Sequence, residues 1–301
     1  MLLAPIALFT FKKLEPLKAT VAALKKNKLA QYSELVIYSD APIHVNDIER
    51  VNMVRAYLKT ITGFKKVTIN LATVNKGLAN AIIEGVSDLL EQHETVIVME
   101  DDLLCSTNFL AYMNAALNFY KNDPKVFSIA GYSPPISESK NYEYDIYFSK
   151  RASSWGWATY KSQWKKVDWQ VNDYSHFKHD DNAKKAFNRM GSDLTGMLKK
   201  QMKGKIDSWA IRWCFHQFKN ELFTVFPTKS KIINIGFIKG ATHTKGKSQN
   251  LRFTTPLDVT NTMNFRFKPD VIMEKQFIND FIKPYRLTTR LKYKIRTLFN
   301  L

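Results

Sequence analysis

Short apolar runs alternate with stretches whose apolar positions recur every three or four residues through the first third of the chain. Residues 5–11 read as a first strand, followed by a helix over 14–26 that places Leu17, Val21 and Leu24 on one face. A second strand at 34–39 ends in Ser39-Asp40. A helix around 47–62, a strand at 66–71, a helix over 77–92 and a strand at 95–99 come next, the last running directly into Glu100-Asp101-Asp102. Strands that are apolar throughout and separated by amphipathic helices predict an α/β fold, with a mostly parallel central sheet flanked by helices on both faces.

Beyond the acidic triplet the rhythm loosens. Residues 109–122 read as a helix stopped by Asp123-Pro124, with strands at 126–130 and 146–148. A tryptophan-rich segment spans 153–169, in which Ser154-Trp155-Gly156-Trp157 is expected to form a loop. A polar helical region over 176–203, an apolar helix over 208–220 and strands at 222–226 and 232–235 complete this part. No repeat, low-complexity tract or Gly/Ser linker interrupts it, so a single domain over 1–270 with an appendage at 271–301 is expected. In that appendage Leu287, Leu291, Ile295, Leu298 and Phe299 recur at helical spacing among Lys283, Arg286, Arg290, Lys292, Lys294 and Arg296, with no acid from 281 to 301. Two readings stay open: a basic amphipathic helix suited to anionic lipid headgroups, or a helix docked on the domain with a solvated basic face.

Composition narrows the classes. The 301 residues, 45% hydrophobic and 13% aromatic, are enough for a sizeable core. The apolar start covers about 11 residues, short of the roughly 20 that a membrane span needs, and no basic residue precedes it as in a signal peptide. Cys105 and Cys214 stand far apart without zinc-ligand or disulfide spacing, which fits a reducing cytoplasm. A net charge of +18, from 45 Lys plus Arg against 27 Asp plus Glu, points to anionic partners without choosing among them.

The triplet supplies the choice. Three adjacent carboxylates at the end of a fully apolar strand are costly unless something compensates them, and ligand crevices of open α/β sheets lie at the carboxyl ends of strands. Oxygen ligands there suit a Mg²⁺ or Mn²⁺ ion shared with a diphosphate. The plainer reading is a helix N-terminus capped by carboxylates.

Ile97-Val98-Met99-Glu100-Asp101-Asp102 resembles the strand-then-acid form of the DxD motif in inverting GT-A glycosyltransferases, such as N-acetylglucosaminyltransferase I and its bacterial relatives. The resemblance runs over residues 4–245 as an ordered set: Ala7-Leu8-Phe9, Ser39-Asp40, Asn75-Lys76-Gly77-Leu78, the triplet, Ser154-Trp155-Gly156-Trp157, Asp207-Ser208-Trp209, and Asn234-Ile235-Gly236 leading to Ala241-Thr242-His243-Thr244. It implies a GT-A, Rossmann-like fold with a nucleotide-binding half over about 1–102 and an acceptor half over about 103–250. By matching position, Asp102 would contact the metal while Glu100 and Asp101 address the sugar and ribose. Asp40 would read the uracil ring, and Asn75 and Gly77 would lie in the loop against the nucleotide. Thr10 and Phe11, at the end of the first strand, would line the donor pocket, although the family often has Asn-Arg-Pro where this chain has Phe11-Lys12-Lys13. His243 resembles the C-terminal histidine that gives a second metal or diphosphate contact, with Lys239, Lys245 and Lys247 nearby. Trp155, Gly156 and Trp157 would meet the sugar, Gly156 giving clearance and at least one tryptophan packing instead.

Inverting transfer needs a base to deprotonate the acceptor hydroxyl. Asp207 is the candidate: it precedes a helix rich in aromatics, Trp209, Trp213 and Phe215, and partial burial is what tunes a carboxylate for proton transfer. Alignment on Trp209 instead sets Ser208 opposite the base, and Asp207 also suits a helix N-cap. His176 and His179 read as surface residues.

These features predict a metal-dependent transferase moving a sugar from a nucleotide diphosphate donor, a UDP-sugar by resemblance, to a hydroxyl of a glycan or lipid-linked glycan. The setting would be cell-surface polysaccharide or lipopolysaccharide synthesis, in the cytoplasm or on the inner face of the plasma membrane. Two other accounts compete. A nucleotidyltransferase building the sugar nucleotide shares the sheet and the acids but usually needs a glycine-rich loop, which Thr10-Phe11-Lys12-Lys13-Leu14 lacks. A basic nucleic-acid-binding protein has no use for three acids after a strand, so no nucleic acid is expected as partner.

Overall fold

The computed structural model describes residues 3–137, 141–237 and 248–298. In chain order its elements are β1 (Ile6–Thr10), α1 (Leu14–Lys25), β2 (Glu34–Ser39), α2 (Ile48–Leu58), β3 (Lys66–Leu71), α3 (Gly77–Gln92), β4 (Thr95–Glu100), β5 (Leu103–Cys105), α4 (Phe109–Tyr120), β6 (Val126–Ala130), β7 (Ile146–Ser149) and β8 (Trp157–Tyr160). Five helices follow, α5 (Lys161–Trp164), α6 (Tyr174–Phe177), α7 (Asp181–Phe187), α8 (Leu194–Met202) and α9 (Trp209–Lys219). Then come β9 (Phe223–Pro227), β10 (Ile232–Asn234), α10 (Lys275–Ile282) and α11 (Leu287–Leu298).

Eight strands form one sheet in the order β3-β2-β1-β4-β8-β6-β9-β7. The first four are mutually parallel, β6 and β9 run the same way, and β8 and β7 run against them. This is the mostly parallel α/β sheet that the apolar runs predict. β1 is buried along its length because both its faces are covered: Ile6 and Leu8 join the core beneath α1 and α4, while Ala7 and Phe9 join the core beneath α3 and α9. A separate two-stranded ribbon pairs β5 with β10, setting Asn234 opposite Leu103.

Two local expectations change in part. Ser154, Trp155 and Gly156 carry no regular structure, as expected of a loop, but Trp157 begins a central antiparallel strand, β8, paired to both β4 and β6. The polar region over 176–203 is broken into α6, α7 and α8. Phe277 and Phe281 of α10 are buried against Tyr147 and Phe226. Cys105 and Cys214 are buried free thiols.

Candidate active site

All the parallel strands deliver their carboxyl ends to one edge of the sheet, so the segments after β1, β2, β3 and β4 gather there. The acidic triplet closes β4. Asp101 and Asp102 occupy the turn between β4 and β5, and no helix begins there, which excludes helix capping as the reason for the acids.

The three carboxylates have different surroundings. Asp101 is buried, and its Oδ2 accepts hydrogen bonds from Thr10 Oγ1 at 2.8 Å and from the Phe11 backbone N–H at 3.1 Å. Thr10 and Asp101, both expected at the donor, thus bind each other and tie the end of β1 to the end of β4. Asp102 accepts from Lys13 Nζ at 2.9 Å. Its backbone carbonyl receives the N–H of Ile235 at 2.9 Å, and a side chain built on Gly236 would come within 2.4 Å of Asp102 Oδ2. The Asn234-Ile235-Gly236 motif therefore does reach the triplet.

Burial, reinforced by the Asp102 and Asp101 charges, pushes Glu100 up to about 8. Burial and the Asp102 charge push Asp101 up to about 6 against the hydrogen bond from Thr10. For Lys13, burial pulls the ammonium down, but the ion pair with Asp102 outweighs it and the pKa is raised. A site in which carboxyls are pushed up and a lysine is held charged is short of positive charge. Among the described residues no cluster of three His, Cys, Asp or Glu is arranged to hold a metal. Mg²⁺ is commonly bound through one or two carboxylates, with phosphates and water completing its shell, and Asp102, its side chain 14% exposed, is the carboxylate that could enter such a shell.

A second cluster lies at the start of α3. Asp40 Oδ1 accepts from the backbone N–H of Ala41 at 2.8 Å and of Lys76 at 2.9 Å, and its Oδ2 from that of Gly77 at 3.1 Å. Asn75 donates to the Ala41 carbonyl at 2.6 Å and accepts from Gly77 N–H at 3.1 Å. Asp40 thus satisfies the first amide of α3, Gly77, and that of Lys76 just before it, a task at the helix start that engages both its oxygens. Arg55, unnoticed in the sequence, donates to the carbonyls of Ala72 at 2.7 Å and Asp40 at 3.3 Å and so fixes both loops.

Asp207 joins this cluster. Its Oδ2 accepts from Ala79 N–H at 3.4 Å and lies 3.3 Å from where a side chain on Gly77 would begin, while Gly77 itself has φ of +72°. The cap of α9 is Ser208, whose Oγ accepts from Ile211 N–H at 3.3 Å, so Asp207 is left free of that role. Its side chain is 56% exposed and 4.0 Å from Arg212, so the burial expected of it is absent.

Gly156 and Trp157 serve packing. Trp157 is buried, its ring 4.9 Å from Trp209 and 5.3 Å from Trp213. A side chain on Gly156, at φ of +57°, would strike Ile232 at 2.6 Å and Met99 at 3.2 Å, so the missing Cβ admits β10 rather than a sugar. Trp155 is half-buried, edge-on to Tyr132 at 4.7 Å, and lines a cavity of about 240 Å³ with Arg151, Arg252 and Tyr285. His176 and His179 are exposed. His243, with Lys239, Lys245 and Lys247, lies outside the described residues.

The nucleotidyl transferase family matches residues 14–142, less than half of the chain. No curated protein matches it. Among solved structures, the mannosyltransferase PcManGT from Pyrobaculum calidifontis, in complex with GDP-Man and Mn²⁺, is 16% identical, with 52% of this chain and 45% of that one covered at a TM-score of 0.37. S. aureus TarS 1-349 in complex with UDP-GlcNAc is 11% identical over 55% of this chain and 48% of that one, at 0.35. The 4-diphosphocytidyl-2C-methyl-D-erythritolsynthase from Anaerococcus prevotii DSM 20548 is 11% identical over 77% and 90%, at 0.39. The chain spans about half the length of the first two, and identities this low carry no activity across.

Proposed function

We propose that the chain is a nucleotide-sugar transferase that moves the sugar of a nucleotide diphosphate donor, a UDP-sugar by resemblance, onto an acceptor hydroxyl of a glycan or lipid-linked glycan. The observation that carries this reading is the position of three carboxylates, two of them with raised pKa, at the carboxyl edge of β4. Asp102 would hold a Mg²⁺ or Mn²⁺ ion, whose charge offsets that of the departing diphosphate, with Glu100 beside it addressing the donor sugar as the resemblance implies. In the reaction the acceptor oxygen forms a bond to the anomeric carbon, the bond from that carbon to the diphosphate breaks, and the acceptor proton passes to the Asp207 carboxylate. At 56% exposure Asp207 is open to an acceptor from solvent, but it has none of the burial expected of a tuned base. Asp101 and Thr10 hold the floor of the site, and Asp40 holds the start of α3.

A second reading, nucleotidyl transfer, is favoured by the family matched over 14–142. There a sugar-1-phosphate oxygen would attack the α-phosphorus of a nucleoside triphosphate and expel pyrophosphate. One assay separates them. Purified protein with Mn²⁺ is given a panel of nucleotide sugars, and release of nucleoside diphosphate is followed; the same protein is given nucleoside triphosphates with sugar-1-phosphates, and pyrophosphate is followed. Diphosphate release that Asp102→Asn abolishes supports sugar transfer. Pyrophosphate release alone replaces it with the second reading, and neither product overturns both.

A further inference from the structure

Helix α11 sits on the protein the wrong way round for a docked amphipathic helix. Leu287, Leu291, Ile295 and Leu298, spaced four, four and three residues apart, form one stripe, and they are 58%, 49%, 52% and 71% exposed. The side turned to the body carries Thr289, Arg290 and Tyr293, each half-buried. Arg290 donates to Ser192 Oγ at 2.9 Å, and the helix packs along the short turn Ser248–Phe253. A helix stabilised by the domain's own core would bury its leucines and leave its cations outside. Here the polar edge faces inward and the apolar stripe faces out, so docking on the domain does not account for the pattern.

The charges around the stripe identify what would cover it. At helical spacing Arg290 and Lys294 flank it on one side and Lys292 and Arg296 on the other. Lys292, Lys294 and Arg296 are exposed. No Asp or Glu occurs from 281 to 301. A second copy of the helix laid against the first would set cation against cation, which disfavours a dimer. An anionic bilayer satisfies both features together: leucines enter the boundary between headgroups and acyl chains, and lysines and arginines meet lipid phosphates at their rim. Among the described residues no helix is long and apolar enough to cross a membrane, so the contact would be peripheral.

We infer that α11 is a membrane-docking helix that lies in the surface of an anionic bilayer through Leu287, Leu291, Ile295 and Leu298. The inference stands apart from the reaction, since it concerns only this helix and lipid.

The test is co-sedimentation of the full chain with vesicles of phosphatidylcholine alone or of phosphatidylcholine carrying about a third phosphatidylglycerol. Wild type should bind the anionic vesicles at least about tenfold more tightly than the neutral ones, and raised salt should weaken that binding. Leu291→Gln with Ile295→Gln should lower it by about tenfold or more while the melting temperature stays unchanged, because both positions are already exposed. Lys292→Glu with Lys294→Glu should abolish the preference for phosphatidylglycerol. Three results would overturn the inference: no vesicle binding by wild type, equal binding to both vesicle types, or a dimer in sedimentation equilibrium that the glutamine pair dissolves.

Discussion

Lys13 Nζ lies 2.9 Å from Asp102 Oδ2, so the chain sets a cation of its own against the last carboxylate of the triplet. Lys13 closes Phe11-Lys12-Lys13, the segment directly after β1. A divalent ion binding Asp102 must compete with that ammonium. Lys13→Met should therefore tighten Mn²⁺ binding, measured by calorimetry without nucleotide, by roughly tenfold. Unchanged or weaker binding would mean that the ion and the lysine do not share the carboxylate.

Glu100 and Asp101 predict a pH dependence of stability. Both are raised in the folded chain, Glu100 from 4.5 to about 8 and Asp101 from 3.8 to about 6. Between the unfolded and folded values the native state holds protons that the unfolded chain has released. Stability therefore falls as pH rises through that window and levels off above it. Melting of the metal-free protein should drop by about 5 °C or more from pH 5 to pH 8.5, and Glu100→Gln should remove most of the drop. A melting temperature that rises over this range would contradict the raised values.

Asp40 holds the first amide of α3, Gly77, and that of Lys76 just before it, so its loss is a defect at the helix start before it is a binding defect. Asp40→Ala should cost about 1–2 kcal/mol in chemical denaturation. Asp40→Asn, which keeps one acceptor oxygen, should cost less. Equal stability of all three proteins would remove the role at the helix start and return Asp40 to the nucleotide.

The positions of these residues also mark what the sequence can and cannot disclose. β2, β3 and β6 fall on their expected residues because each is a run of β-branched or apolar side chains between clear helical stretches. β8 escaped notice because Trp-Ala-Thr-Tyr is only four residues long, carries no alternation, and gains its strand character from β4 and β6 on either side. The triplet was legible because charge at the end of an apolar run is a local signal. The partners of the site were not: Asp40 meets Gly77 across 37 positions and Asp207 meets Ala79 across 128, contacts that only the assembled sheet creates. An indole motif reads the same in sequence whether it faces a cleft or, like Trp157, fills the core, so the expectation that one tryptophan packs could not say which.

Asp207→Asn tests the proton acceptor. Its side chain is 56% exposed and caps nothing in α9, and asparagine keeps an oxygen to accept the long 3.4 Å bond from Ala79 N–H, so the substitution should leave melting and donor affinity nearly as they are. Turnover onto an acceptor hydroxyl should fall by about a hundredfold to ten-thousandfold. A fall in donor affinity with turnover intact would assign Asp207 to nucleotide binding at the start of α3 instead.

Arg151 and Asp193 form a buried ion pair against which Tyr285 of the C-terminal segment packs. Their side chains are each 10% exposed, with hydrogen bonds of 2.9 Å from both terminal nitrogens of the guanidinium. Tyr285, between α10 and α11, covers the guanidinium with its ring at 3.6 Å. Burial alone would raise the Asp193 carboxyl, but Arg151 outweighs it and holds the pKa below the ordinary value. The stability this lends is present above the unfolded pKa and is lost as pH falls through the folded one, in the acid range below about 4. Asp193→Asn strands a guanidinium in the interior and should cost roughly 3–5 kcal/mol, whereas Arg151→Met with Asp193→Leu removes both charges and should recover most of that loss. Because the partner of the pair is also the shelf for Tyr285, limited proteolysis of Asp193→Asn should cut first near 283–286. Cleavage elsewhere, or a melting curve within a degree or so of wild type, would show that the segment is held by the buried Phe277 and Phe281 rather than by charge.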